Sequence, residues 1–164
     1  MAVEIEHLFR RSHHLPAVAR LIYNEFWADV RGGMTVAQLE AHLRTATNPQ
    51  RIPLSLLALD GDELLGTVNL IDNDDDQRAH LHPWLAALVV VAPRRGRGVG
   101  SQLVAALLAQ AAQMQIAAVY FGTDGPGFYA RLGAQVHEEV KSGFFIMRFE
   151  LPATASSNTG FVGD

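Results

Sequence analysis

A chain of 164 residues, 49% hydrophobic and 18% charged, is long enough for one domain with its own core and too apolar to be disordered throughout. The absence of cysteine excludes a disulfide framework, a thiolate nucleophile and a cysteine metal site, and no apolar run approaches the roughly 20 residues that span a bilayer. The net charge of −4 is uneven, for residues 77–123 hold four arginines and no acid, three of the arginines falling within four residues.

In chain order, residues 3–9 are predicted to form a strand. The opening MAVEIEHLFRR carries acids and no apolar core segment, so no secretory leader is expected, and with no cysteine a cytoplasmic location is the expectation. His13-His14 reads as surface. Leu15, Val18, Ile22 and Phe26 follow a helical period, with Pro16 in the first turn where its missing N–H costs least. After Gly32-Gly33, Thr35 and Gln38 form a capping-box pattern opening a second helix with Leu39 and Leu43 on its apolar face. Residues 54–59 and 64–71 read as strands around the tight turn Asp60-Gly61-Asp62. Residues 72–77 read as a solvated acidic loop. Residues 85–91 are an almost unbroken apolar run, as in a central strand buried on both faces.

An Arg/Gly loop follows, then a charge-free helix from Val99 to about Met114, expected to be largely covered by protein. Residues 117–121 read as a strand, 128–132 as a helical turn ended by Gly133, and 136–140 with 144–151 as a final hairpin. Its apolar Phe144-Phe145-Ile146-Met147 suits either core or a homodimer face. One domain is expected over residues 1–152, with a disordered tail over 153–164. The order is strand, two helices, three strands, helix, strand, short helix, two strands, which is a mixed α/β or α+β sheet.

The strand that runs through Arg95-Gly96-Arg97-Gly98-Val99-Gly100 into a helix presents free backbone N–H groups at a helix N-terminus, and the dipole there favours an anion such as phosphate. No Gly-x-x-x-x-Gly-Lys-Ser/Thr string exists. A Gly-x-Gly-x-x-Gly fingerprint also fails, since Leu103 stands sixth from Gly98 and Ser101 sixth from Gly96. A nucleic-acid surface calls for a wider basic patch on a domain that is not acidic overall.

These residues carry a family resemblance. Arg95-x-x-Gly98-x-Gly100, after Leu88-Val89-Val90, resembles the acetyl-coenzyme A signature of the GCN5-related N-acetyltransferases. Phe128-Tyr129-Ala130-Arg131-Leu132-Gly133 resembles that family's Phe-Tyr-x-x-x-Gly segment. The element order is similar from about residue 3 to 151. The resemblance implies a twisted, mixed but mostly antiparallel sheet of about seven strands flanked by about four helices. It implies that acetyl-CoA is the co-substrate. Arg95, Gly96, Arg97, Gly98, Val99, Gly100 and Ser101 would hold the pyrophosphate, and Leu88, Val89 and Val90 would pair through their backbone with the pantetheine arm. Two departures stand out: Ala92 occupies a position usually held by proline, with Pro93 following, and Gly122 stands where many members carry a coenzyme-A-contacting asparagine, so that either Thr123 or Asp124 substitutes or the contact is absent.

The implied reaction is attack of an amine on the acetyl thioester. With no cysteine to carry the acetyl group, direct transfer in a ternary complex is expected. Tyr129 is the expected general acid for the departing thiolate. Three groups are open as general base: His80 and His82, which would face one side if extended, and Glu25. Trp27 and Trp84 are expected, with Glu25, around the acceptor, a primary amine on a small molecule or a peptide N-terminus. His80-x-His82 near the acidic run supplies too few ligands for a closed metal site, so no metal is expected. The rival reading is a non-catalytic acyl-CoA-binding sensor; neither a membrane nor a nucleic-acid partner is expected.

Overall fold

The structure, a computed structural model, describes residues 2–152; the predicted tail lies outside them. Seven strands form one sheet in the order β1-β2-β3-β4-β5-β7-β6. They are β1 (Glu4–His7), β2 (Leu54–Asp60), β3 (Glu63–Ile71), β4 (Trp84–Val90), β5 (Ala118–Thr123), β6 (Gln135–Lys141) and β7 (Phe144–Glu150). Four helices flank it: α1 (Leu15–Ile22), α2 (Val36–Leu43), α3 (Val99–Gln113) and α4 (Pro126–Arg131). Every neighbouring pair is antiparallel except β4 with β5.

Alternation along the strands divides the core. Leu56, Val68, Leu70 and Leu85 pack with Leu103, Val104 and Leu107 of α3 on one face. Leu57, Leu59 and Val89 pack with Val18, Ile22, Leu39 and Leu43 of α1 and α2 on the other. The capping box is formed: Gln38 N–H donates to Thr35 Oγ1 at 3.1 Å and Thr35 N–H to Gln38 Oε1 at 2.9 Å, an arrangement that contributes about 1 kcal/mol. Gly66 of β3 lies where a Cβ would meet Val89 O at 2.7 Å and Val90 Cα at 3.2 Å. Both are backbone atoms, so glycine here lets β3 and β4 lie as close as they do.

Several sequence expectations need correcting. The first strand ends at His7, and residues 8–14 form 3₁₀ turns instead. The first helix passes into a π turn over Tyr23–Trp27, closed by Ala28 N–H donating to Tyr23 O at 2.9 Å. The wider turn breaks the 3.6-residue period, so Phe26 is 42% exposed, while Tyr23 and Trp27 pack against the α1/α2 core. Helix α3 is not largely covered: Gln102, Ala105, Ala109 and Gln113 form an uncharged exposed stripe. The acidic loop does meet solvent, with Asp72, Asp74, Asp76 and Gln77 exposed, but it is also pinned: Asp75 caps a short turn over Asp76–Arg78 and Arg78 pairs with both Asp75 and Glu138 of β6. In the last hairpin Ile146 and Met147 are buried in the chain's own core, which removes them from any dimer face.

Candidate functional site

The site begins at the middle of the sheet. Strands β4 and β5 pair at one position, Trp84 opposite Tyr120, where Tyr120 N–H donates to Pro83 O at 3.0 Å. Beyond it β5 follows β7 through six paired positions and β4 follows β3, so the two strands part as a wedge. Val91 N–H donates to Leu65 O at 2.8 Å on the β3 side. By the alternation of an antiparallel ladder Val89 also faces β3, which turns the backbone polar groups of Val90 toward the wedge. A bulge interrupts β4 opposite Val68, with Ala87 at φ +52°. A left-handed alanine is strained by about 1–2 kcal/mol, and such bulges re-aim the groups that follow, here Leu88.

At the far end of β4 the chain turns through a 3₁₀ turn over Ala92–Arg94 into α3. Gly98 is the N-cap residue at φ +83°, a left-handed conformation that favours glycine, and it offers no capping side chain. The first α-helical hydrogen bond is Gln102 N–H to Gly98 O at 3.1 Å. The N–H groups of Val99, Gly100 and Ser101 therefore have no partner within the helix, and no acid stands in its first turn. A Cβ on Gly100 would lie in ordinary contact with the ring of Phe128, at 3.4 Å, so α4 packs beside the first turn of α3 while the Gly100 N–H stays at the helix end.

The three arginines divide their work. Arg94 pairs with Glu63 at 2.9 Å. Arg95 donates through Nε to Val90 O at 2.8 Å and through Nη2 to Glu25 Oε2 at 3.2 Å, tying the loop to the strand end and to the π turn of α1. Arg97 is exposed and makes no ion pair among the described residues. The Arg95–Glu25 link spans 70 residues, and no local sequence signal announces it.

The ring of Tyr129 of α4 packs against Phe121, centroids 4.3 Å apart and planes tilted by 42°, and Phe121 is itself stacked on Phe149. Burial pushes the Tyr129 phenol up to about 12, so it keeps its proton through neutral pH. The three expected bases are dispersed. Glu25 sits by Arg95 at the C-terminal end of β4. His80 and His82 are exposed at its other end, in a turn and an irregular segment rather than an extended run, so the expected shared face does not arise. Trp84 is 2% exposed and its Nε1–H donates to Leu81 O at 2.7 Å; it is a core residue, not a wall open to an acceptor. Trp27 does line an open cavity of about 540 Å³, with Arg20, Tyr23, Met34 and Val36. Sequence reasoning did not find this cavity, because it depends on the π turn. Gly122 has a physical reason: a Cβ there would lie 2.8 Å from the Phe144 ring. Thr123 Oγ1 accepts a hydrogen bond from Gly125 N–H at 2.9 Å, which shapes the turn into α4.

The family model described as "Acetyltransferase (GNAT) family" matches residues 19–134. The chain belongs to the GNAT acetyltransferase family. That match takes in the π turn, the wedge, the loop and α4, and it makes the protein an acyltransferase. Solved structures with the same GNAT fold include an aminoglycoside 6′-N-acetyltransferase complexed with coenzyme A (18% identity, 91% of this chain and 97% of that one, TM-score 0.70). Others are the PaiA N-acetyltransferase of Thermoplasma acidophilum in complex with coenzyme A (18%, 92% and 99%, 0.68) and a GCN5-related N-acetyltransferase from Kribbella flavida (22%, 92% and 98%, 0.72). No curated protein sequence matches the chain. Among the described residues no helix is long and apolar enough to cross a membrane.

Proposed function

We propose that this GNAT protein moves an acetyl group from acetyl-CoA to a primary amine, on a small molecule or a peptide N-terminus, by direct attack in a ternary complex. The observation that carries the reading is that one wedge combines two unsatisfied sets of backbone donors. The uncapped N–H groups of Val99, Gly100 and Ser101 suit a pyrophosphate, and the β4 edge at Leu88–Val90 suits an extended amide-bearing arm laid as an added strand. Arg95 shapes the loop and Arg97 meets phosphate charge. A backbone N–H of the Leu88–Val90 segment stabilises the thioester oxygen as it becomes negative. Tyr129 donates to the departing thiolate. The amine's proton leaves to Glu25, His80 or His82, or to water held by one of them. The cavity beside Trp27 supports a place for the non-reacting part of the acceptor. The wall role of Trp84 is not retained.

Calorimetric titration with acetyl-CoA, followed by thiol release over a panel of amines, tests the proposal. Binding with turnover on at least one amine supports the enzyme; binding without turnover on any amine across a broad pH range supports the sensor instead. Gly98→Val supplies the site control. A Cβ at Gly98 meets nothing within 4 Å, so it displaces no neighbour, and the cost of the substitution lies in the backbone. Its left-handed φ costs a side-chain residue about 1–2 kcal/mol. Relaxing that strain turns the loop amides away, and acetyl-CoA affinity is expected to fall about tenfold or more. Unchanged affinity would remove the phosphate from this loop.

A further inference from the structure

On the α1 side of the turn joining β2 to β3, three side chains converge that the transfer reaction does not use. His13 Nε2 lies 2.8 Å and His14 Nε2 3.0 Å from the same Asp62 oxygen, Oδ1. The three ligand atoms all fall within 4.8 Å of one another, and no other His/Cys/Asp/Glu group among the described residues does so; His80, His82 and the acidic loop do not form one. The rings of His13 and His14 stand 4.2 Å apart, tilted by 39°. The His14 side chain is only 9% exposed, whereas those of His13 and Asp62 are 59% and 72% exposed. The cluster therefore has a fixed, desolvated back and an open front.

We propose that His13, His14 and Asp62 bind a divalent transition-metal ion of the zinc class, contrary to the expectation from sequence that the chain has no metal site. Two imidazoles and one carboxylate are the borderline N/O donor set that Zn²⁺ and Co²⁺ take. Ligand atoms about 2.1 Å from a tetrahedral ion lie about 3.4 Å from one another, so small side-chain movements admit the ion. Both imidazoles then offer the Nε2 lone pair and carry their proton on Nδ1; from neutral rings this is a change of tautomer with no net proton release. Water completes the shell on the open side. The ion would clasp the start of α1 to the turn whose flanking Glu63 holds Arg94.

The test uses the full chain, dialysed free of metal and titrated calorimetrically with ZnCl₂, with CoCl₂ in parallel for its visible absorption. The expected result is one ion per chain, an absorption band of low-coordinate Co²⁺, and a Tm that rises with added Zn²⁺ by mass action. His13→Ala and Asp62→Asn should each weaken binding by about tenfold or more, the scale on which even second-sphere partners act. Asp62→Asn retains an oxygen that accepts from both rings, so its metal-free Tm should stay close to wild type. His42→Ala, on the exposed face of α2, should bind as wild type does. No stoichiometric binding, or equal affinity in wild type, His13→Ala and Asp62→Asn, would overturn the site and leave a hydrogen-bonded clasp.

Discussion

Tyr129→Phe is expected to lower turnover by about 10²-fold, with acetyl-CoA affinity nearly unchanged. The substitution keeps the ring on Phe121 and removes only the hydroxyl. The size follows from the acidity of the phenol. At about 12, its proton is held more tightly than a thiol of ordinary pKa near 8.5 would hold it, so complete transfer in the wedge is uphill. What the hydroxyl supplies is a hydrogen bond to a sulfur that is gaining negative charge. A bond to a charged group is worth about 1.5–3 kcal/mol, and that range reaches the lower end of general-acid effects. The sign of the pH dependence follows as well. Because burial raises this pKa, the donor form persists past pH 10, and wild-type kcat should show no alkaline fall from Tyr129 below that point. Steady-state rates of both proteins across neutral to alkaline pH check this. A falling rate with constant affinity would mark an interaction made mainly in the transition state. Wild-type turnover in Tyr129→Phe would sink the role.

Trp84→Ala should remove about 3–5 kcal/mol of stability, the usual cost of deleting a buried large aromatic. That is a large share of the 5–15 kcal/mol that holds a domain together. The main contribution is the cavity left among Leu81, Ile146 and their neighbours; the Leu81 carbonyl loses its indole donor but keeps the Asn73 Nδ2–H at 2.9 Å. Trp84→Phe restores most of the volume but not the hydrogen bond and should fall between. Urea denaturation measures both. A loss below about 1 kcal/mol in Trp84→Ala would mean that the indole stands on an open wall after all, as surface substitutions usually cost little.

The parts of this molecule legible in the sequence were those encoded by neighbours in the chain. The capping box at Thr35 and Gln38, the glycine loop before α3 and the Phe128-Tyr129 turn each need only a few adjacent residues, and each sits where the pattern puts it. The missed features depend on partners far away or on backbone states that carry no composition signal. An alanine at φ +52° reads as an ordinary strand residue, so the bulge in β4 was invisible inside an apolar run. The π turn threw Phe26 off the apolar face, since the helical period was extended past the point where it changes. Trp84 was expected around the acceptor, but it packs with Leu81 and Ile146 beside a loop that Arg78 fastens to β6, a burial that no neighbouring residue in the chain announces. Helix α3 has no charge, yet its outer stripe of glutamine and alanine meets solvent: lack of charge permits burial without requiring it.

The single backbone bridge between β4 and β5 has a mechanical consequence. On one side β1 to β4 are laced into a plate by ladders, and on the other β5 to β7 form a second plate. What spans the seam, besides that bridge, is made by side chains: the Arg78–Glu138 ion pair at one end, Trp84 and Leu81 against Ile146, and α3 leaning on Val119, Phe121 and Met147. Dispersion contacts are short-ranged and non-directional, so they resist separation over a fraction of an ångström but fix no angle as a row of hydrogen bonds would. The opening angle between the plates is thus set by side chains rather than by a ladder of backbone hydrogen bonds. It is gauged by the thickness of a few rings, and trimming one of them would change the width of the wedge without altering any residue that lines it.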